Sequence, residues 1–262
     1  MVGNPDLRRS FDAFSGSAGA SYGTRSLRLG VNLSHTERAP GAEELYVDGP
    51  HPGTQSFQIG DPNLRTERSN GVELTLKGSG EGYSYGVSAY RIWFDNYIYE
   101  AATGAIEDDF PVFQFRQGKA RYAGFEVEGS ARLATLGGFT INADALADYV
   151  RATIRSVGPA PRIPPLRLLG GLEAQSDRLT GRLEVEHVTA QKRIAAFETP
   201  TKGYTMVNAS LAFQPIAGRK DISLMLAANN LFDVDARRHD SFLKDYAPLA
   251  GRDIRLTARF SF

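Results

Sequence analysis

Apolar and polar residues alternate with a period of two through most of this chain. The last stretch shows it in full: Ile254, Leu256, Ala258, Phe260 and Phe262 share one parity, and Arg255, Thr257, Arg259 and Ser261 the other. Successive side chains of a strand point to opposite faces, so one face here is apolar and the other carries guanidinium groups. The same rhythm sets Leu27, Leu29, Val31 and Leu33 against Arg28, Asn32 and Ser34, and Val72, Leu74 and Leu76 against Glu73, Thr75 and Lys77. It returns in Phe125 and Val127 against Glu126 and Glu128, in Phe139, Ile141 and Ala143 against Thr140, Asn142 and Asp144, and in Leu183 and Val185 against Arg182, Glu184 and Glu186. Traced from Phe14 to the end, the pattern predicts roughly 11 strands of about 10 residues, the length of a tilted transmembrane strand.

The connections alternate in length. Those near Gly80, Gly137, Asp177 and Gly218 are tight, whereas those near Asp48, Glu107, Pro161, Ala195 and Asp240 are long. Thr36 to Arg65 is rich in Pro, Gly and charge without period, Ala101 to Pro111 reads as a loop, and Val234 to Tyr246 reads as a polar loop. Short turns on one side and long loops on the other are the mark of an outer-membrane barrel. The fold class expected is therefore all-β, an antiparallel transmembrane β-barrel with an apolar exterior and a wet, charged lumen. A soluble β-sandwich accommodates the same alternation if the apolar rows face a core, so the two differ in what those rows touch.

Composition narrows the reading. With 30 basic and 30 acidic residues the formal charge is zero, which offers no field for nucleic acid. There is no cysteine, which removes disulfides, thiol catalysis and thiolate metal sites. Mean hydropathy is −0.30, and no apolar run approaches the ~20 residues of a membrane helix. The start, Met1 to Asp6, lacks a leader's apolar core, so an exported protein would carry its leader outside this chain. No G-x-S-x-G, H-E-x-x-H or P-loop is present, and the neighbours Ser34 and His35 would face opposite sides of a strand. The chain reads as no enzyme and implies no cofactor.

Four short stretches carry a family likeness. Arg38-Ala39-Pro40 followed by Glu43-Glu44-Leu45 resembles the R-x-P-x-x-x-E-L segment of TonB-dependent outer-membrane receptors. Asp61-Pro62-Asn63-Leu64-Arg65-Thr66-Glu67 is similar to their NPNLKPE segment, Asn229-Asn230-Leu231-Phe232-Asp233 to their ENLFD, and Gly251-Arg252 with terminal Phe262 to their closing β-signal. The resemblance covers the whole chain. It implies a receptor that binds a scarce ligand at the surface of a bacterial outer membrane, embedded in lipid and lipopolysaccharide. It implies import energised by the TonB complex through a plug, and assembly by the barrel machinery through the last strand. Such transporters have about 22 strands and a plugged lumen. Residues 1–262 therefore read as the C-terminal part of a receptor barrel, with plug and signal peptide outside them. A passive porin-like channel and a soluble β-rich binding module are the alternatives.

Binding residues gather on loops held by a rigid scaffold, which points to residues 36–65. There Tyr46-Val47-Asp48-Gly49-Pro50-His51 places one of four histidines three positions from a carboxylate, a plausible pair of ligands for zinc. The stretch resembles an NGPH segment of the zinc-uptake branch, with Asp48 in place of Asn. The plainer expectation is that His51 packs or caps a Gly/Pro-shaped turn. His35, at a strand end, and His239, beside Arg237, Arg238 and Asp240, are further ligand candidates; an interfacial and a solvated role are their plainer ones. Tyr83, Tyr85, Trp93, Tyr97 and Tyr99 read as girdle or rim aromatics.

Overall fold

A computed structural model describes residues 9–216 and 221–260. The turn at Ala217-Gly218-Arg219 and the terminal Phe262 lie outside the described residues. The chain runs β1 (Gly16–Gly23), β2 (Arg28–Arg38), helix α1 (Ala42–Tyr46), β3 (Asp48–His51), β4 (Ser56–Ile59), β5 (Glu67–Gly80), β6 (Tyr83–Glu107) and β7 (Phe110–Leu136). It continues through β8 (Phe139–Ile154), β9 (Gly158–Pro159), β10 (Arg167–Gln175), β11 (Leu179–Val188), β12 (Tyr204–Phe213), β13 (Ile222–Asn229) and β14 (Asp253–Phe260). The wall is one curved antiparallel sheet in the order β1-β2-β5-β6-β7-β8-β10-β11-β12-β13-β14, open at β1 and β14. The eleven wall strands of that order are the eleven that alternation predicts.

Pairing register explains why this sequence makes this sheet. Val31 sits opposite Leu74, and Leu74 opposite Ala89. Val87 faces Val127, Val127 faces Ala147, and Ala147 faces Leu168. Leu172 meets Leu183, Val185 meets Val207, Leu211 meets Leu226, and Leu226 meets Leu256. One continuous apolar band thus crosses the sheet on one face, and a one-residue slip anywhere would turn it inside out. Among the described residues the band packs against no second layer: Leu29 is 59% exposed, Leu74 59% and Leu256 72%. In a sandwich these rows would meet one another across a core. Left bare, they are the lipid face of a barrel wall.

The tight turns, residues 24–27, 81–82, 137–138 and 176–178, all fall at one end of the sheet, and the long connections at the other. Two connections are more ordered than the sequence suggests. The expected loop from Ala101 to Pro111 is a continuation of the β6–β7 ladder, with Ile106 opposite Pro111 and a turn at Asp108 and Asp109 (φ 50° and 64°). Aspartate tolerates that left-handed backbone, and two such residues in a row make the tight hairpin turn that matches strand twist. The expected aperiodic stretch from Thr36 to Arg65 contains α1 and the β3–β4 hairpin, whose β4 pairs in parallel with the β7 extension. A register shift between Phe94 and Tyr97, with Asn96 at φ 56°, bends β6 where it leaves the wall.

Candidate functional site

On the face opposite the apolar band two arginines are held by carboxylates. Arg167 reaches Asp148 at 2.8 Å and Glu186 at 3.9 Å. Arg182 grips both oxygens of Asp144 at 2.6 and 3.0 Å and touches Glu184 at 3.1 Å. Fork-on-carboxylate geometry fixes Arg182 better than a lone ammonium would. Glu73, Glu126 and Glu128 lie on the same wall and line a polar hollow. The lumen face is thus polar and prepared for water or a polar occupant.

The family-like stretches hold the bases of the long connections. Arg38 binds Glu44 at 3.0 and 2.8 Å and approaches Glu67 at 3.5 Å, while Glu44 also accepts the Gly41 amide. Pro40 is buried. Leu45 and Leu64, 4% and 1% exposed, pack together with Ile98. Gly60 allows this closure, because a Cβ there would lie 2.6 Å from the Leu45 carbonyl carbon. Pro62 sits in the turn beside Asn63, whose amide donates to Asp61 Oδ1. Asn230 does the same work at the far end: its side chain donates to the carbonyls of Val234 and Ala250 and accepts the Val234 amide. The Leu231 amide donates to Val207, and the Arg252 amide to Asp233 Oδ1, which Gly251 leaves room for. Phe232 is 68% exposed and takes no part in that network.

Above the wall the long connections converge on a pocket of about 260 Å³. Tyr99 and Phe113 come from the β6–β7 extension, Arg162 from the β8–β10 connection, Phe197 from the β11–β12 connection and Phe242 from the β13–β14 connection. An ionic chain ties them together. Glu100, its side chain 8% exposed, accepts from Gln58 at 2.8 Å and from Arg162 at 2.8 Å. The Arg162 guanidinium lies 3.7 Å from the Phe242 ring centre, and its amide donates to Glu198. Burial opposes ionisation of Glu198, but His239 and the amides of Ala195 and Arg162 outweigh it and hold its pKa below the usual carboxylate range. Burial likewise works against Asp245, and Thr199 and Lys244 overcome it. Arg116 also lines the pocket with no acidic partner among the described residues, its guanidinium donating to Gln114. Four aromatic rings around a mix of fixed charges suit a ligand with a flat apolar part and a charged edge.

The residues singled out by sequence are scattered. His51 sits at the β3–β4 turn, where Nδ1 is 2.9 Å from Thr54 Oγ1, while Asp48 starts the same strand opposite Ile59. A separation of three residues sends their side chains to opposite faces. Tyr46 ends α1 and is exposed. His35 shares the outward face, hydrogen-bonds Asn70 at 2.8 Å and stacks on Phe14. His239 departs from its plainer expectation, being 2% exposed: Nδ1 lies 3.1 Å from Thr201 Oγ1, and Nε2 lies 3.2 Å from Glu198 Oε1, near but not aligned as a hydrogen bond. Among the described residues no three His, Cys, Asp or Glu side chains are grouped to hold a metal. Tyr97 and Tyr122 join hydroxyls at 2.5 Å beneath the pocket. Sequence reasoning missed Glu100, Arg116, Arg162, Glu198 and Phe242, whose only signals are a carboxylate following an aromatic run and an arginine within a proline cluster.

Comparison with known proteins places the fold. An alignment over 99 residues, covering 35% of this chain, is 31% identical to haemoglobin-haptoglobin utilization protein B of Neisseria meningitidis and spans 12% of it. The fold superposes on the copper transporter OprC with a TM-score of 0.80 at 21% identity, covering 95% of this chain and 39% of that one. It also superposes on the FrpB iron transporter of Neisseria meningitidis (TM-score 0.71, 16% identity, 95% and 39% covered). The chain thus spans well under half the length of the relatives it matches. Residues 2–231 match the family described as TonB dependent receptor-like, beta-barrel, and the chain belongs to that family.

Proposed function

We propose that this chain is the C-terminal part of the wall of a bacterial outer-membrane receptor that captures a scarce ligand and imports it by TonB-coupled transport. The observation that carries the reading is the rim pocket, where four aromatic side chains and an ion-paired chain from separate loops converge above a charged lumen. In this reading the rest of a larger barrel and a plug complete the receptor, and the TonB complex acts through that plug. The barrel assembly machinery would recognise the last strand, and lipid and lipopolysaccharide would surround the apolar band. Ligand capture needs no covalent chemistry. Relatives named for haemoglobin-haptoglobin utilization, iron and copper transport make haem, an iron chelate or a copper species the first candidates.

The test is accumulation of haem, a ferric catecholate and copper(II) by cells expressing the full receptor, with and without functional TonB. Uptake of one probe that requires both receptor and TonB supports the reading. Uptake unaffected by loss of TonB, with steady conductance of the protein in a planar bilayer, would establish a passive channel instead. A zinc role for His51 and Asp48 is tested separately, by titrating zinc into the receptor and its His51→Ala variant; equal affinities remove His51 from any metal site.

A further inference from the structure

The outward face of the sheet is not uniform above its apolar band. On β6, β7 and β8 the band ends in Ala89, Phe125 and Tyr149, directly paired across the strands, with the two rings 6.0 Å apart. The next outward positions are Arg91, Ala123 and Arg151, and the next Trp93, Arg121 and Thr153. Arg155 follows, its amide bonded to the Lys119 carbonyl, and the β11–β12 connection adds Lys192 and Arg193 beside Arg151. Arg91, Lys119, Arg121, Arg151, Arg155 and Lys192 are all exposed.

Among the described residues these cations have few acidic partners. Lys119 lies 3.4 Å from Asp95. Arg91 lies over the Trp93 ring at 5.3 Å, and Arg193 donates to the Ala152 carbonyl and to Thr153 Oγ1 at 2.7 Å each; both contacts fix a guanidinium without neutralising it. Burial, and then the charge of Arg151, lower the pKa of Arg193. On the outward face at the same end of β2 and β5 the charges cancel instead, Arg68 meeting Glu37 at 2.8 Å. The cationic strip is therefore a local feature of three adjacent strands. Two shallow grooves run through it, one between Trp93, Lys119, Arg121 and Arg155, the other between Tyr149, Arg151, Lys192 and Arg193.

We propose that this strip is a binding site for a multiply phosphorylated glycolipid of the outer leaflet, lipopolysaccharide, whose phosphates lie against Arg91, Arg121, Arg151, Arg155, Lys192 and Arg193. Aromatic side chains mark the depth of the headgroups, and the cations begin where Phe125 and Tyr149 end. Side chains here face lipid and not the lumen, so the anion they meet belongs to the membrane. Strands stand about 4.8 Å apart, so three of them spread the charges over about 10 Å, more than one phosphate spans. Guanidinium forks match phosphate oxygens in pairs, and basic pockets on membrane proteins select phosphorylated headgroups in this way. The assignment rests on the outer-membrane reading given above.

The experiment uses the full receptor, purified in detergent, as wild type, as an Arg121→Glu/Arg151→Glu/Arg155→Glu variant, and as an Arg25→Glu control at the opposite end of the wall. Binding of bisphosphorylated lipid A is titrated, with phosphatidylglycerol and inorganic phosphate as competitors. The expected result is salt-sensitive lipid A binding that the control keeps and the triple variant loses, by about fivefold or more per charge removed. Arg151→Gln alone, which avoids reversed charge in a strand, should weaken binding several-fold. Equal lipid A binding by heat-modifiable, folded wild type and variant would overturn the site. Equal competition by phosphatidylglycerol or phosphate would overturn the glycolipid assignment. A receptor that does not fractionate with the outer membrane would overturn both this site and the reading beneath it.

Discussion

Arg162→Ala tests whether the rim is one cooperative unit. Arg162 contributes one ionic bond to Glu100, whose side chain is 8% exposed, and one cation–ring contact to Phe242. Breaking a buried pair by deleting one partner costs about 3–5 kcal/mol. Here the arginine is itself 25% exposed and Glu100 keeps its Gln58 hydrogen bond, so about 2–3 kcal/mol is the fitting figure. The ring contact adds about 1 kcal/mol. Arg162 has φ 55°, a conformation alanine tolerates no better, so the backbone cost is unchanged by the substitution. A total near 3 kcal/mol should raise local opening of the outer loops about 150-fold. Hydrogen exchange of the receptor should then rise in peptides covering 155–166, 192–200 and 236–246, with the wall strands β10 and β11 unchanged. Adding Glu100→Gln should restore part of the protection, since it removes the orphaned carboxylate, and the double-mutant cycle should show coupling above about 0.5 kcal/mol. Purely additive effects, or faster exchange in β10 and β11, would refute the cooperative rim.

Two further outcomes follow from the same geometry. Asn230, 2% exposed and at φ 48°, satisfies two carbonyls and one amide; Asn230→Ala should cost about 3 kcal/mol and loosen the 231–252 connection, read as a lower temperature for loss of the compact, heat-modifiable form. Glu198 has a lowered folded pKa, so its contribution is present above the unfolded carboxylate value of about 4.3 and is lost as pH falls through the lower folded value. Protease cleavage of the 189–203 connection should therefore rise as pH drops below about 4, and Glu198→Gln should flatten that dependence; a pH-independent rate in the native protein would exclude Glu198 as the tie.

The wall was legible because within the apolar band outward positions are apolar and most inward ones polar, a constraint that leaves a two-residue rhythm in the sequence itself. The β6–β7 extension was not legible, since past the membrane both faces of a ribbon can be wet and Ala101-Ala102-Thr103-Gly104 shows no alternation. His239 looked solvated because Arg237, Arg238 and Asp240 surround it in sequence, yet Thr201 and Glu198 supply its partners from another loop. Glu100 and Arg162 are 62 residues apart, and no local pattern announces that they meet.

The two motif clusters are far apart in the chain but solve one mechanical problem. A long connection leaving a barrel must have its backbone groups satisfied where it departs, or its base will fray into the membrane boundary. Arg38, Glu44 and Glu67 close one base with charge, and Leu45 and Leu64 seal it. Asn230 and Asp233 close another with amide and carboxylate hydrogen bonds to the strand that returns at Arg252. Because the bases are locked, the tips carrying His51, Arg162, Phe197 and Phe242 are free of any duty to hold the barrel together. Their residue choice is released from that duty, which is why the motifs identify the wall and do not mark the pocket.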